Sequence, residues 1–269
     1  MSTAHEAIAQ HTAKRPTVAP WSADPYADAL RAGRGPLFLR RTDGWLLPLE
    51  VERWCARADA VDREVLARCE GAVLDVGCGP GRLVVELAAS GRAALGIDVS
   101  DAAVAHTTRR GGQALRRSVF EPLPGEGRWG TALLLDGNLG IGGDPEALLG
   151  RLARLLLPGG LLIAETVPVD VDELASVRIV RTADVTGAGG GRGTAGVPFP
   201  WARLGTPALL RYAGTHGWRA VDQWAAGGRA FVALRSRSTS SNAEPPNSTA
   251  DTSNQRARKP SPGSPAADR

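Results

Sequence analysis

The chain has 269 residues, 43% of them hydrophobic, enough for one large core or two small ones. The net charge of +4 is modest and no apolar run approaches the roughly 20 residues of a membrane span. A polyanion-coating protein and a helical membrane protein are therefore both disfavoured.

Three cysteines, Cys55, Cys69 and Cys78, form no C-x-x-C pair, so they read as reduced apolar residues rather than disulfides or a metal site. With no secretory-type apolar segment near Met1, the expected location is cytoplasmic. Lys14 and Lys259 are the only lysines among many arginines, a bias that fits a GC-rich genome. The cluster Arg31, Arg34, Arg40 and Arg41 is either a solvated basic face or a contact for an anionic partner. Strong nucleic-acid binders show a denser basic stripe, so no nucleic-acid partner is expected.

Residues 1–20 are small and polar, with Pro16 and Pro20, and read as a flexible arm. Residues 21–70 form an N-terminal cap segment. Within it, Val51, Trp54, Cys55, Ala58, Val61, Val65 and Leu66 recur at helical spacing from Pro48 to Cys69, with a break near Asp59. A first strand follows from Ala72 to Asp75, then a helix with Leu83, Val84, Leu87 and Ala88 on one face, stopped at Ser90-Gly91. A second strand, Ala93 to Ile97, ends in Asp98, and Ser100 caps a helix through Arg110.

A weaker third strand is expected from Ala114 to Val119, and a clear fourth from Thr131 to Leu135, ending at Asp136. Asp144-Pro145 opens a helix with Leu148, Leu149, Leu152, Leu155 and Leu156 facing inward. Pro158-Gly159-Gly160 turns into a fifth strand, Leu161 to Val167. The glycine-rich run Gly187 to Gly196 is either a mobile lid or a plain surface loop. Thr206-Pro207 starts a helix that stops at Gly217. Two strands, Arg219 to Trp224 and Arg229 to Leu234, then form a hairpin around Ala225 to Gly228. From Ser236 to Arg269 the composition turns to Ser, Thr, Asn, Pro and charge, which predicts a disordered tail. Strand–helix alternation with short turns predicts an α/β fold, a mostly parallel sheet with helices on both faces and an antiparallel terminal hairpin.

The stretch Val73-Leu74-Asp75-Val76-Gly77-Cys78-Gly79-Pro80-Gly81-Arg82 carries the most specific signal. An acid closes an apolar strand, and glycines at alternate positions then open a helix, letting backbone approach a ligand closely. A dinucleotide turn of the form G-x-G-x-x-G needs its third glycine one position later, and it aims a helix N-terminus at a pyrophosphate. A tight turn holding no ligand is the remaining alternative. The spacing D-x-G-x-G-x-G, followed by Asp98 after the next strand, resembles motif I of class I S-adenosylmethionine (SAM)-dependent methyltransferases. The Leu157-Pro158-Gly159-Gly160 turn is also typical of that family, and the resemblance covers roughly residues 71–235.

That resemblance implies a doubly wound seven-stranded sheet and SAM as cofactor. It places Asp75, Gly77, Cys78, Gly79 and Gly81 along the methionine and ribose, and Asp98 with Val99 at the ribose hydroxyls. The family often carries an acid after the third strand for the adenine amino group; here Ser118 stands in that place, leaving Ser118, Val119 and Phe120 for adenine. Phe120 as a plain core residue is the alternative. Asp136 would orient the acceptor, meet the methionine amino group, or cap local backbone. The Asp136 to Gly143 loop lacks the N/D-P-P-Y motif of amino-methylating enzymes, which argues against adenine, cytosine or glutamine acceptors.

Candidate acceptor contacts are Trp54, Asn138 and Trp201, with core packing the alternative for both tryptophans. None of the four histidines, His5, His11, His106 and His216, is assigned a catalytic role. The expected activity is methyl transfer to a small or mid-sized metabolite. A SAM-binding protein without transfer activity, and methylation of RNA or protein, are the other readings.

Overall fold

A computed structural model describes residues 21, 24–186 and 196–237. The expected arm over 1–20, the glycine-rich run up to residue 195 and the tail beyond residue 237 lie outside the described residues. In chain order the elements begin with α1 (Asp24–Ala32), a hairpin of β1 (Leu37–Arg41) and β2 (Leu46–Leu49), then α2 (Val51–Cys55) and α3 (Ala60–Ala67). The helical run expected from Pro48 to Cys69 is thus two helices. Asp59 causes the break: its carboxylate accepts from the Asp62 amide at 2.7 Å, and the Asp62 carboxylate accepts from the Asp59 amide at 3.0 Å. This reciprocal cap satisfies two orphan donors at the start of α3.

The alternating part follows: β3 (Val73–Val76), α4 (Arg82–Ala89), β4 (Ala94–Asp98), α5 (Asp101–Arg109), β5 (Ala114–Arg116) and β6 (Trp129–Leu134). A 3-10 segment, Asn138–Gly143, leads to α6 (Pro145–Leu155), β7 (Leu156–Thr166), β8 (Asp172–Arg181) and α7 (Thr182–Thr186). The last elements are β9 (Phe199–Leu204), α8 (Thr206–Thr215), β10 (Trp218–Ala226) and β11 (Arg229–Ser236). Ser100 caps α5 as expected, its hydroxyl accepting from Ala103, and Asp144 caps α6 with Pro145 in its first turn. The expected third strand stops early, at Arg116, because the chain turns at Val119–Phe120.

Seven strands form one sheet in the order β10-β11-β7-β6-β3-β4-β5, parallel from β7 to β5 and antiparallel across β7, β11 and β10. The fifth expected strand begins earlier, at Leu156. Leu156 pairs with Trp129 and Leu161 with Thr131, so Leu157 to Gly160 bulge out of the ladder and the strand continues on both sides.

A second sheet, not part of the sequence reading, has the antiparallel order β2-β1-β8-β9. It joins the N-terminal hairpin to two strands inserted between β7 and β10, with Leu39 opposite Ile179. Hydrophobic residues gather in three places. One cluster joins Leu74, Leu134 and Leu162 to α6 and α8, where Leu148, Leu152 and Leu209 are wholly buried. The other face of the sheet packs Leu133 and Ile163 on Val65, Leu83 and Leu87. The third holds Tyr26, Leu30, Leu37 and Leu39 against Val177, Ile179, Phe199 and Trp201. Truncating a wholly buried leucine such as Leu152 to alanine costs about 2–5 kcal/mol.

Candidate functional site

A cavity of about 690 Å³ opens along the carboxyl ends of β3, β4, β5 and β6 and extends to side chains of α1, the second sheet and α2. That is the size of an ordinary small-molecule site, and it lies where open α/β sheets bind ligands. The loop after β3 forms its floor. The Gly77 and Cys78 amides both bond to Ile97 O, at 2.9 and 3.0 Å, and the Gly81 amide bonds to Cys78 O at 3.0 Å. Two glycines have identifiable reasons. A Cβ on Gly77 would sit 2.8 Å from the Asn138 amide, and one on Gly81, at φ +84°, would run into the Thr107 side chain.

Asp98 ends β4 and is buried. Its two carboxylate oxygens accept from the Gly79 and Ser100 amides, at 2.9 and 2.8 Å. Burial pushes its pKa up to about 6, opposed by those amides. The carboxylate keeps acceptor capacity for a ligand hydroxyl. Asp75 is different. It lines the cavity, is buried, and its Oδ2 has no hydrogen-bond partner. Burial pushes it up to about 7, with Arg82 pulling the other way and Asp136 and Asp98 adding to the rise.

At the lip, Phe120 is 43% exposed, so it is not a core residue. The turn beneath it is pinned by Arg151, which donates to Val119 O and Glu121 O at 2.8 Å each. The Ser118 hydroxyl accepts from the Phe120 amide at 3.3 Å, and its own proton remains available to donate.

Asp136, at φ +56°, does not cap loop backbone. Its carboxylate accepts from Arg53 and Arg82, both at 2.7 Å, with Arg229 at 3.5 Å. The same three arginines reach Asp62, and Arg229 also reaches Glu165 at 2.7 Å. This ion network lies beside the cavity and fastens α2, α3 and α4 to β7 and β11. Asn138 donates from one amide nitrogen to Val76 O and Gly77 O, at 2.9 and 3.0 Å, and so buttresses the glycine loop.

Residues 50–218 match a family model described as a methyltransferase domain. The chain belongs to that family. Its sheet is that of the class I SAM-dependent methyltransferase fold. Among solved structures, a SAM-dependent methyltransferase from Bacteroides fragilis in complex with S-adenosyl-L-homocysteine superposes with a TM-score of 0.65 at 22% identity, over 82% of this chain and 98% of that one. The CcbJ methyltransferase from Streptomyces caelestis gives 0.49 at 17% identity, over 66% of this chain and 88% of that one. A Burkholderia thailandensis 1,6-didemethyltoxoflavin-N1-methyltransferase gives 0.48 at 20% identity, over 69% and 79%. No curated protein sequence matches the chain.

Within this methyltransferase fold the cavity gathers Asp75, Gly77, Cys78, Gly79, Asp98, Val99, Ser118, Val119, Phe120, Asp136, Asn138, Trp54 and Trp201. Gly81 does not line it; its place is the start of α4, against Thr107. No histidine among the described residues lines the cavity. His106 lies 3.0 Å from Pro80 O, and His216 lies against Tyr212 O at the end of α8. Sequence reasoning missed Trp21, Tyr26 and Leu39, which the N-terminal segment and second sheet bring to the cavity beside Leu47 and Leu49. It also missed the pairing of Arg82 with Asp136, although Arg82 directly follows the glycine turn.

Proposed function

We propose that the chain binds SAM in this cavity and transfers its methyl group to a small or mid-sized metabolite. The carrying observation is the Asp75 carboxylate, buried at the cavity wall with an unpartnered oxygen. An unpaired buried acid is costly unless a cation arrives to meet it, and the ammonium of a bound amino-acid moiety is such a cation. The glycine loop between Gly77 and Gly79 leaves backbone open to the same ligand. Asp98 accepts from the ribose hydroxyls, and Ser118 with Phe120 serves the adenine. When bound, SAM supplies a methyl group made electrophilic by its sulfonium. The chain's own task is then to hold the acceptor in line and to exclude water.

Titration calorimetry with S-adenosylhomocysteine tests the reading. One site per chain is expected, and Asp98→Ala should weaken binding by about 1.5–3 kcal/mol for each charge-assisted bond lost. Binding of NAD in place of S-adenosylhomocysteine would overturn it. Labelled SAM incubated with a metabolite extract then separates transfer from binding alone: a labelled small product supports the proposal, and label found only on RNA or protein refutes the acceptor class.

A further inference from the structure

The cavity is chemically divided. Every charged side chain that lines it, Asp75, Arg82, Asp98, Arg117, Asp136 and Asp144, comes from the main-sheet segments between β3 and α6. Among the described residues, α1, the second sheet, α2 and the 197–201 segment contribute none. They supply Tyr26, Trp54, Phe199 and Trp201, joined by Trp21 ahead of α1, with Leu39, Leu47 and Leu49 filling between.

Aromatic residues are only 5% of the chain, and among the buried residues of the two main-sheet clusters only Trp218 and Phe231 are aromatic, with Trp129, Tyr212 and Trp224 packed against them. The cap wall gathers five in one smaller cluster, in contact with one another. Trp21 meets Tyr26 edge-on at 5.2 Å and Phe199 at 5.6 Å, and lies 5.4 Å from Trp201; Tyr26 meets Trp54 edge-on at 6.4 Å. Aliphatic residues alone would fill such a wall if packing were the only requirement. Rings that pack edge to face also offer a flat guest the same geometry.

Resting on the methyltransferase reading above, we infer that the acceptor is a flat, ring-bearing molecule, uncharged over the part that this wall covers. A charged group placed there would lose its hydration with no opposite charge to meet it. A sugar would bury hydroxyls against a wall whose polar atoms are few: the Tyr26 hydroxyl and indole nitrogens. The Tyr26 hydroxyl is a donor, not a base, because burial foremost, and Asp98 next, raise its pKa well above the ordinary value.

The experiment compares three isosteric probes without cofactor by tryptophan quenching: 2-naphthol, 2-naphthoate and 2-naphthylmethylammonium, with glucose as a fourth arm read by calorimetry. The neutral ring should bind more than about tenfold tighter than either charged isostere, and glucose should not bind. Leu47→Asp puts a carboxylate on the half-exposed wall and should invert the order in favour of the ammonium probe. Trp54→Phe should retain 2-naphthol binding that Trp54→Ala loses. Equal or tighter binding of a charged isostere by the wild-type chain, or of glucose, overturns the inference. So does failure of every naphthyl probe while S-adenosylhomocysteine still binds, which leaves the methyltransferase reading intact. Failure of S-adenosylhomocysteine itself instead brings down that reading.

Discussion

Asp75 has a consequence that extends beyond the site. Its ordinary pKa of 3.8 is pushed up to about 7 by burial. Between those values the folded chain holds a proton that the unfolded chain has released, so this residue's contribution to stability declines as pH rises from about 4 to 7. Asp75→Asn keeps the shape and removes the titration. The ligand-free variant is therefore expected to melt above the wild type at pH 8, with the gap closing towards pH 4. Each tenfold change in proton affinity corresponds to about 1.4 kcal/mol, so the gap amounts to a few kcal/mol at most. Melting curves that run parallel across this range would show that Asp75 stays ionised in the empty site.

Asp98 is also buried but is met by the backbone amides of Ser100, Gly79 and Val99, which explains its smaller rise. Two acids at neighbouring strand ends thus differ in readiness. Asp98 is held in place by backbone amides, and one oxygen of Asp75 has no hydrogen-bond partner.

At the scale of elements, an ion network adds to apolar packing in fastening the N-terminal helices to the main sheet. Arg229, at the start of β11, donates to Asp62 of α3 at 2.8 Å and to Glu165 of β7 at 2.7 Å. Asp62 is wholly buried. Asp62 keeps Arg82 at 3.0 Å when Arg229 is removed, but the largely buried Glu165 carboxylate loses its arginine partner. Arg229→Ala should therefore lower unfolding free energy by about 3–5 kcal/mol in chemical denaturation. Arg31→Ala removes a pair with Asp28 whose side chains are mostly exposed, and the change should be lost in experimental error. Similar losses from the two substitutions would mean that the Arg229 network is fully hydrated. Because Arg53 and Arg82 of the same network also hold Asp136 at the cavity edge, the clasp ties fold stability to site geometry.

At the scale of the whole molecule, the cavity has one face from the parallel sheet and another from the cap and second sheet. A ligand that fills it should quiet both. Hydrogen exchange upon S-adenosylhomocysteine binding is expected to slow in 75–82, 96–100 and 117–121 first, with slower exchange also in 46–55 and 197–202. Protection confined to the first three segments would place the cofactor entirely on the main sheet and leave the cap's order independent of it. The central strands β3, β6 and β7 should exchange slowest with or without ligand, since each is paired on both sides.

The alternating elements were legible because each carries its own local signal: apolar runs of strand length, Ser100 and Asp144 as caps, and glycines at alternate positions after β3. The same signals pointed by resemblance to a seven-stranded, mostly parallel sheet, and they named the acids at the strand ends that the structure gathers around one cavity. Other features required coordinates. β1 and β8 form a ladder across a long stretch of sequence, and no local pattern states that Leu39 faces Ile179. Tyr26 and Trp21 are ordinary residues of an amphipathic segment until that ladder turns them towards the glycine loop. Arg53, Arg82 and Arg229 look like solvated arginines in sequence, and only their convergence on Asp62 and Asp136 makes them a clasp. Sequence alone determined what is encoded within one element or one turn. Tertiary structure decided what depends on pairing between distant elements, because burial and charge pairing are properties of neighbours in space.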